Sequence, residues 1–128
     1  MAVITRLIGV YDADGGLRGE LAYLAGKIAG RHCSLCDITH SPVRRRQAWD
    51  AYAAGLPVPF ELLHRNERTA DVRAATTGKE PCVVARTDDG RVVLVLDSDR
   101  LVEAADVTGL ARELDRALAE QGLEWPAR

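Results

Sequence analysis

The chain has 128 residues, 47% of them hydrophobic and 28% charged, with a formal net charge of −2. That length fits one domain whose core is large enough to stand without disulfides, and a charge so near zero excludes the strongly basic footprint of a protein that binds nucleic-acid backbone. No apolar run approaches the about 18–20 residues of a membrane span, and the opening apolar stretch, broken by Arg6, is too short for a secretory leader, so the sequence predicts a cytoplasmic protein without a membrane partner.

Val3 to Tyr11 is rich in Val, Ile and Leu and reads as a buried strand. Asp12-Ala13-Asp14-Gly15-Gly16 then turns the chain into a helix whose apolar face is Leu17, Leu21, Leu24 and Ile28 and which stops near Gly30. Residues 31 to 41 read as a loop. Ser41 and Pro42 suit the cap and first turn of a second helix, which runs to about Gly55 and buries parts of Val43, Trp49 and Tyr52.

Pro59 leads a strand from Phe60 to His64 and can only precede it or sit at its edge. Asn66 is expected to cap a weak helix from Glu67 to about Thr76, ended by Gly78. Pro81 to Arg86 and Arg91 to Leu96 form two strands joined by Thr87-Asp88-Asp89-Gly90, where Asp-Gly between apolar runs signals a hairpin. Asp106 or Thr108 starts a last helix carrying Leu110, Leu114 and Leu118, which stops at Gly122. The alternation of strands and helices predicts an α/β domain with a mostly parallel sheet and a closing antiparallel hairpin.

The chemistry concentrates in His32-Cys33-Ser34-Leu35-Cys36-Asp37-Ile38-Thr39-His40. Two thiols separated by two residues can close a disulfide or share a metal. As a redox pair they need one thiol partly ionised near neutral pH, which a helix N-terminus or a nearby cation promotes. The helix starting near Pro42, with Arg31 and Arg44, supplies such a field, while Asp37 opposes it. Cys33 would then attack and Cys36 resolve, an order the sequence leaves open, with no cofactor and with a protein or small-molecule thiol as partner. As a metal site, Cys33, Cys36 and His40 have the spacing of a zinc or copper half-site. The fourth ligand is open among His32, Asp37, His64 and Cys82. In a third reading the thiols merely pack a loop, and the protein is a non-catalytic interaction domain.

The order of elements resembles the thioredoxin-like fold. The local likeness lies in Glu80-Pro81-Cys82-Val83-Val84-Ala85-Arg86, Asp89-Gly90 and Val92 to Leu96, similar to that family's proline-led strand, tight turn and following strand. The resemblance implies a single domain over residues 1–128. It also implies a cis peptide bond before Pro81, beside the active site, with Cys82 next to it. The family's Cys-x-x-Cys directly follows the first strand. Here Asp12 to Gly16 holds that place, and the cysteines fall in an insertion at about residues 30–57. Residues 31 to 41, about 33–36 Å long if extended, can carry the chain back to the edge near Asp12 and Pro81.

The N-terminal third, through Tyr11-x-Ala13-x-x-Gly16, Lys27 and Cys33-x-Leu35-Cys36-x-x-Thr39, also resembles a group of small uncharacterised bacterial proteins. That likeness implies no activity, and Gly26-Lys27-Ile28 lacks the spacing and hydroxyl of a phosphate-binding loop. The remaining candidates read as structural. Cys82 fits a buried strand cysteine, and Asp12 and Asp14 fit turn and cap positions. Arg44, Arg45 and Arg46 point in different directions on a helix and form no clamp. His64 sits at a strand end, Trp49 and Tyr52 fill the core, and Glu61 and Glu67 show no paired-carboxylate pattern.

Overall fold

The computed structural model describes residues 2–12, 35 and 43–126, the side chains of 43–46 apart. Among the described residues, five strands form one sheet. In chain order the described elements are β1 (Ala2–Val10), α1 (Val43–Ala54), β2 (Phe60–Leu63), a 3-10 turn (Arg65–Glu67), α2 (Ala70–Thr76), β3 (Cys82–Thr87), β4 (Val92–Leu96), α3 (Ser98–Ala104), α4 (Val107–Glu120) and β5 (Leu123–Glu124).

The strands lie in the order β2-β1-β3-β4, with β5 beside the first residues of β1. The sheet is mixed and not mostly parallel. β1 runs parallel to β2 and β5, but β3 is antiparallel to both β1 and β4. A period-two pattern specifies a strand and its buried faces but not the direction of its partner, so the β1–β3 pairing was not legible in it. Val10 pairs with Leu63 on one side and with Cys82 on the other. The ends of β1 and β2 and the start of β3 therefore share one edge.

Both faces of β1 are covered, which explains its nearly continuous apolar run. Leu7 and Tyr11 face a core shared with Trp49, Val83, Ala85, Leu101, Leu110 and Leu114. Ile8 and Val10 face a smaller cluster with Val72, Cys82 and Val84. The first face is packed by α1, α3 and α4, and the second by α2. Each fully buried aliphatic side chain contributes about 1.5–3 kcal/mol. An ion pair between Arg6 and Glu61 ties β1 to β2 at the surface.

The last helix has the expected leucine face. Asp106 caps it, its carboxylate accepting the Gly109 N–H at 2.8 Å. The hairpin turn also stands as expected, with Gly90 at φ +84°. Glu80–Pro81 is a cis peptide bond, as the resemblance implies.

Several boundaries differ from expectation. Asn66 lies in a 3-10 turn, and the following helix starts at Ala70. Helix α3 and strand β5 were not expected. Asp97 caps α3 by accepting the Arg100 N–H at 2.9 Å, and only Leu101 and Ala104 of α3 are buried. Leu35, within the stretch that reads as loop, is helical. The predicted helix from Leu17 to Gly30 lies outside the described residues. Among the described residues no helix is long and apolar enough to cross a membrane.

Candidate functional site

Cys33, Cys36, His32, His40, Asp14 and Asp37 lie outside the described residues. The described residue of their segment is Leu35, which stands between the two cysteines. It is 0% exposed and belongs to the larger core. A Cβ built on Gly9 would lie 3.1 Å from Leu35 Cδ2, 3.0 Å from Leu62 Cδ2 and 3.3 Å from Phe60 Cε1. Three side chains thus converge over Gly9, and the missing side chain there is what admits them. Leu35 packs on the sheet face to which Leu7 and Tyr11 also belong.

Along that face, Tyr11 and His64 are the next residues toward the shared edge. Strand alternation puts Gly9 and Tyr11 on one side of β1 and Leu62 and His64 on the same side of β2. The Tyr11 and His64 rings meet with centroids 5.1 Å apart. Backbone pairing continues to this point, with the Tyr11 N–H donating to the Leu63 carbonyl at 2.9 Å.

The 3-10 turn after β2 organises the edge. His64 Nδ1 lies 2.7 Å from Glu67 Oε1, and the same oxygen accepts the His64 backbone N–H at 2.6 Å. That backbone bond, with the ring bond beside it, holds the Glu67 carboxyl below its ordinary range. Glu67 is therefore a carboxylate at neutral pH. One residue on, Arg65 reaches Asp12 Oδ1 at 3.6 Å. Asp12 stands at the turn after β1, half exposed, where the sequence placed it.

A second ion pair secures the approach to Pro81. The Arg68 guanidinium donates to the Arg65 carbonyl at 2.8 Å, to Thr76 Oγ1 at 3.1 Å and to Glu80 Oε1 at 3.0 Å. Glu80 Oε1 also accepts the Gly78 N–H at 3.1 Å. The two side chains are only 10% and 9% exposed. This clasp joins the turn after β2 to the loop that leads into β3.

Pro81 is buried beside this clasp, and Cys82 follows it. The Cys82 side chain is 0% exposed among Ile8, Val10, Val72 and Val84. Burial, and then the neighbouring Glu80 carboxylate, push its thiol up to about 12. Such a thiol is a packing group, not a nucleophile or a ready metal ligand. Cys82 is a free cysteine, and the described residues hold no group of three or more metal-ligating side chains.

Trp49 and Tyr52 fill the core as expected. Trp49 meets Phe60 edge to face at 4.7 Å and Tyr52 at 6.1 Å. Arg44, Arg45 and Arg46 fall in α1. The polar edge made by His64, Arg65, Glu67, Arg68 and Glu80 was missed as a unit. The one signal in the sequence was His64 and Glu67 three residues apart behind a proline-led strand.

Compared with protein-family models, with curated proteins and with solved structures, the chain matches none.

Proposed function

We propose that the chain is a thiol–disulfide exchange protein of thioredoxin-like fold that works through Cys33 and Cys36. The fold reading is supported by two parallel strands joined to an antiparallel hairpin in the order β2-β1-β3-β4. A cis proline leading β3 is a further point of likeness. The observation that carries the functional reading is the burial of Leu35 over Gly9. Leu35, one of the two residues between the cysteines, is built into the core, on the sheet face that ends at Tyr11 and His64.

Cys82 supports the same reading by elimination. Its thiol is buried and held protonated, so Cys82 is set aside and the reading rests on the other two cysteines, Cys33 and Cys36. In the exchange, the Cys33 thiolate attacks one sulfur of a substrate disulfide and forms a mixed disulfide. The departing thiolate takes up a proton. Cys36 then attacks Cys33, closes the Cys33–Cys36 disulfide and releases the second substrate thiol. Two electrons and two protons pass to the substrate, and the protein ends as the oxidised partner.

The test is turnover of a small disulfide such as glutathione disulfide by the reduced full-length chain, with a reductant recycling it. Cys33→Ser and Cys36→Ser are each expected to abolish turnover, while Cys82→Ala retains it. Normal turnover in either single serine variant overturns the reading. So does a stoichiometric zinc or copper ion that leaves with Cys33→Ser and blocks exchange while bound.

A further inference from the structure

Along the path β2-β1-β3-β4 the outer strands are β2 and β4, and the two differ in composition. β2 follows Pro59 and carries Glu61. β4, Val92-Val93-Leu94-Val95-Leu96, has neither proline nor charge. An apolar strand at the rim of a sheet offers unpaired N–H and C=O groups to any other extended chain, and proline and charge are the usual obstacles. We infer that the Gln121 side chain supplies the obstacle at β4, closing that rim to strand pairing with a second copy of this chain.

The ladder fixes which groups face outward. β3 and β4 are antiparallel, with Arg86 opposite Val92, Ala85 opposite Val93 and Val84 opposite Leu94. The Thr87 N–H donates to the Arg91 carbonyl at 3.0 Å, so Arg91 turns its backbone groups inward to β3. Alternation then turns Val93 inward and Val92 and Leu94 outward. The register skips Val95, and this irregularity comes only after Leu94, so Val92 to Leu94 is a regular and partly exposed stretch. Among the described residues nothing hydrogen-bonds the Val92 N–H or C=O or the Leu94 N–H. The Leu94 carbonyl is the exception, since it accepts Gln121 Nε2 at 2.8 Å.

A second copy fits this rim because the outward groups are self-complementary. In an antiparallel pair about a two-fold axis at Val93, Val92 of each copy meets Leu94 of the other and exchanges N–H···O=C bonds with it. Half of those bonds need the Leu94 carbonyl. Shifting the register by two residues brings Leu94 in again. Gln121 thus occupies the acceptor that any pairing beyond Val92 itself requires.

Gln121 is well anchored for this. It closes α4, whose Leu110, Leu114 and Leu118 are buried in the larger core. Its own N–H is bound to the Ala117 and Leu118 carbonyls at 3.1 and 3.2 Å. A carbonyl partner also fixes the side-chain amide, with its NH2 toward the strand. The residue is exposed, so truncating it removes the contact with β4 and leaves the core untouched.

The experiment is sedimentation equilibrium of the full-length chain over a concentration series, with amide hydrogen exchange at Val92 and Leu94 read by NMR. The parent is expected to stay monomeric where Gln121→Ala associates. The variant pairs on the order of tenfold more tightly, because one hydrogen bond on each copy no longer has to be broken. In the associated variant the Val92 and Leu94 amides become protected from exchange. Val92→Lys added to Gln121→Ala returns the monomer, since a charge on the rim opposes pairing. Equal association of the parent and Gln121→Ala, at any level, overturns the inference. Association of the variant with those two amides unprotected places the contact elsewhere and overturns it too.

Discussion

Arg68 donates to Glu80 Oε1 at 3.0 Å, and that single carboxylate oxygen also receives the Gly78 amide. The pair holds the turn after β2 against the loop carrying Pro81. Both side chains are about nine-tenths buried, 10% and 9% exposed, so neither can be re-solvated in place if its partner is removed. Removing one partner of a buried pair costs about 3–5 kcal/mol. Arg68→Ala is expected to lower stability by about 3 kcal/mol in urea unfolding, with Glu80→Gln milder because an amide oxygen can still accept from Gly78. Unchanged stability in Arg68→Ala would show that the clasp does not hold this edge.

Leu35 is the anchor of the cysteine segment. It is 0% exposed, and Leu→Ala at such a site costs about 2–5 kcal/mol. Leu35→Ala should lower stability within that range and slow disulfide exchange, because the segment loses its hold over Gly9. Calorimetry and turnover on the same preparation check both effects. Loss of stability with exchange untouched would separate the anchor from the site.

Alkaline pH gives a test that uses Cys82. Its thiol is raised from 9.0 to about 12 in the folded chain, chiefly by burial. A group whose folded value is raised contributes its full stability below the unfolded value, and loses it as pH rises through the folded one. Stability should therefore decline from about pH 9 toward about 12. Tyr52, raised from 10.0 to about 12 by burial and by Asp115, adds to the decline in the upper part of that window. Cys82→Ala is expected to flatten the early part of the decline in urea midpoints measured from pH 8 upward. An identical slope in the variant would mean that Cys82 is not held protonated.

Gly109 closes the elbow between α3 and α4. A Cβ there would stand 1.9 Å from the Ala104 carbonyl oxygen, a clash with backbone that no side-chain rotation relieves. Gly109→Ala should cost about 3 kcal/mol, toward the upper part of the usual range for overpacking, measured by thermal unfolding. A neutral substitution would show that the elbow opens freely.

The parts of the fold legible in the sequence are those specified locally. The β-branched and leucine run of β1, the Asp89-Gly90 turn and the Leu110, Leu114 and Leu118 stripe each announce one element. Helix α3 did not announce itself, because only Leu101 and Ala104 are buried and Asp97 closes β4 while capping α3. The direction of β3 was not legible, because strand partners are chosen by the whole sheet.

At the edge, Cys82 could be read as buried from its apolar neighbours. The His64–Glu67 pair could not, because it depends on a 3-10 turn where the sequence reads as the start of an α-helix. Cys33, Cys36 and His40 lie outside the described residues. What the structure adds is the seat of Leu35 between the two cysteines.

The most direct test of the central claim is the redox state of Cys33 and Cys36 in the full-length chain equilibrated against a series of glutathione buffers. The account predicts one reversible two-electron transition, with a Cys33–Cys36 disulfide in the oxidised protein and Cys82 a free thiol throughout. Two thiols that never pair across the series, or that are protected in every buffer by a bound metal ion, would contradict it.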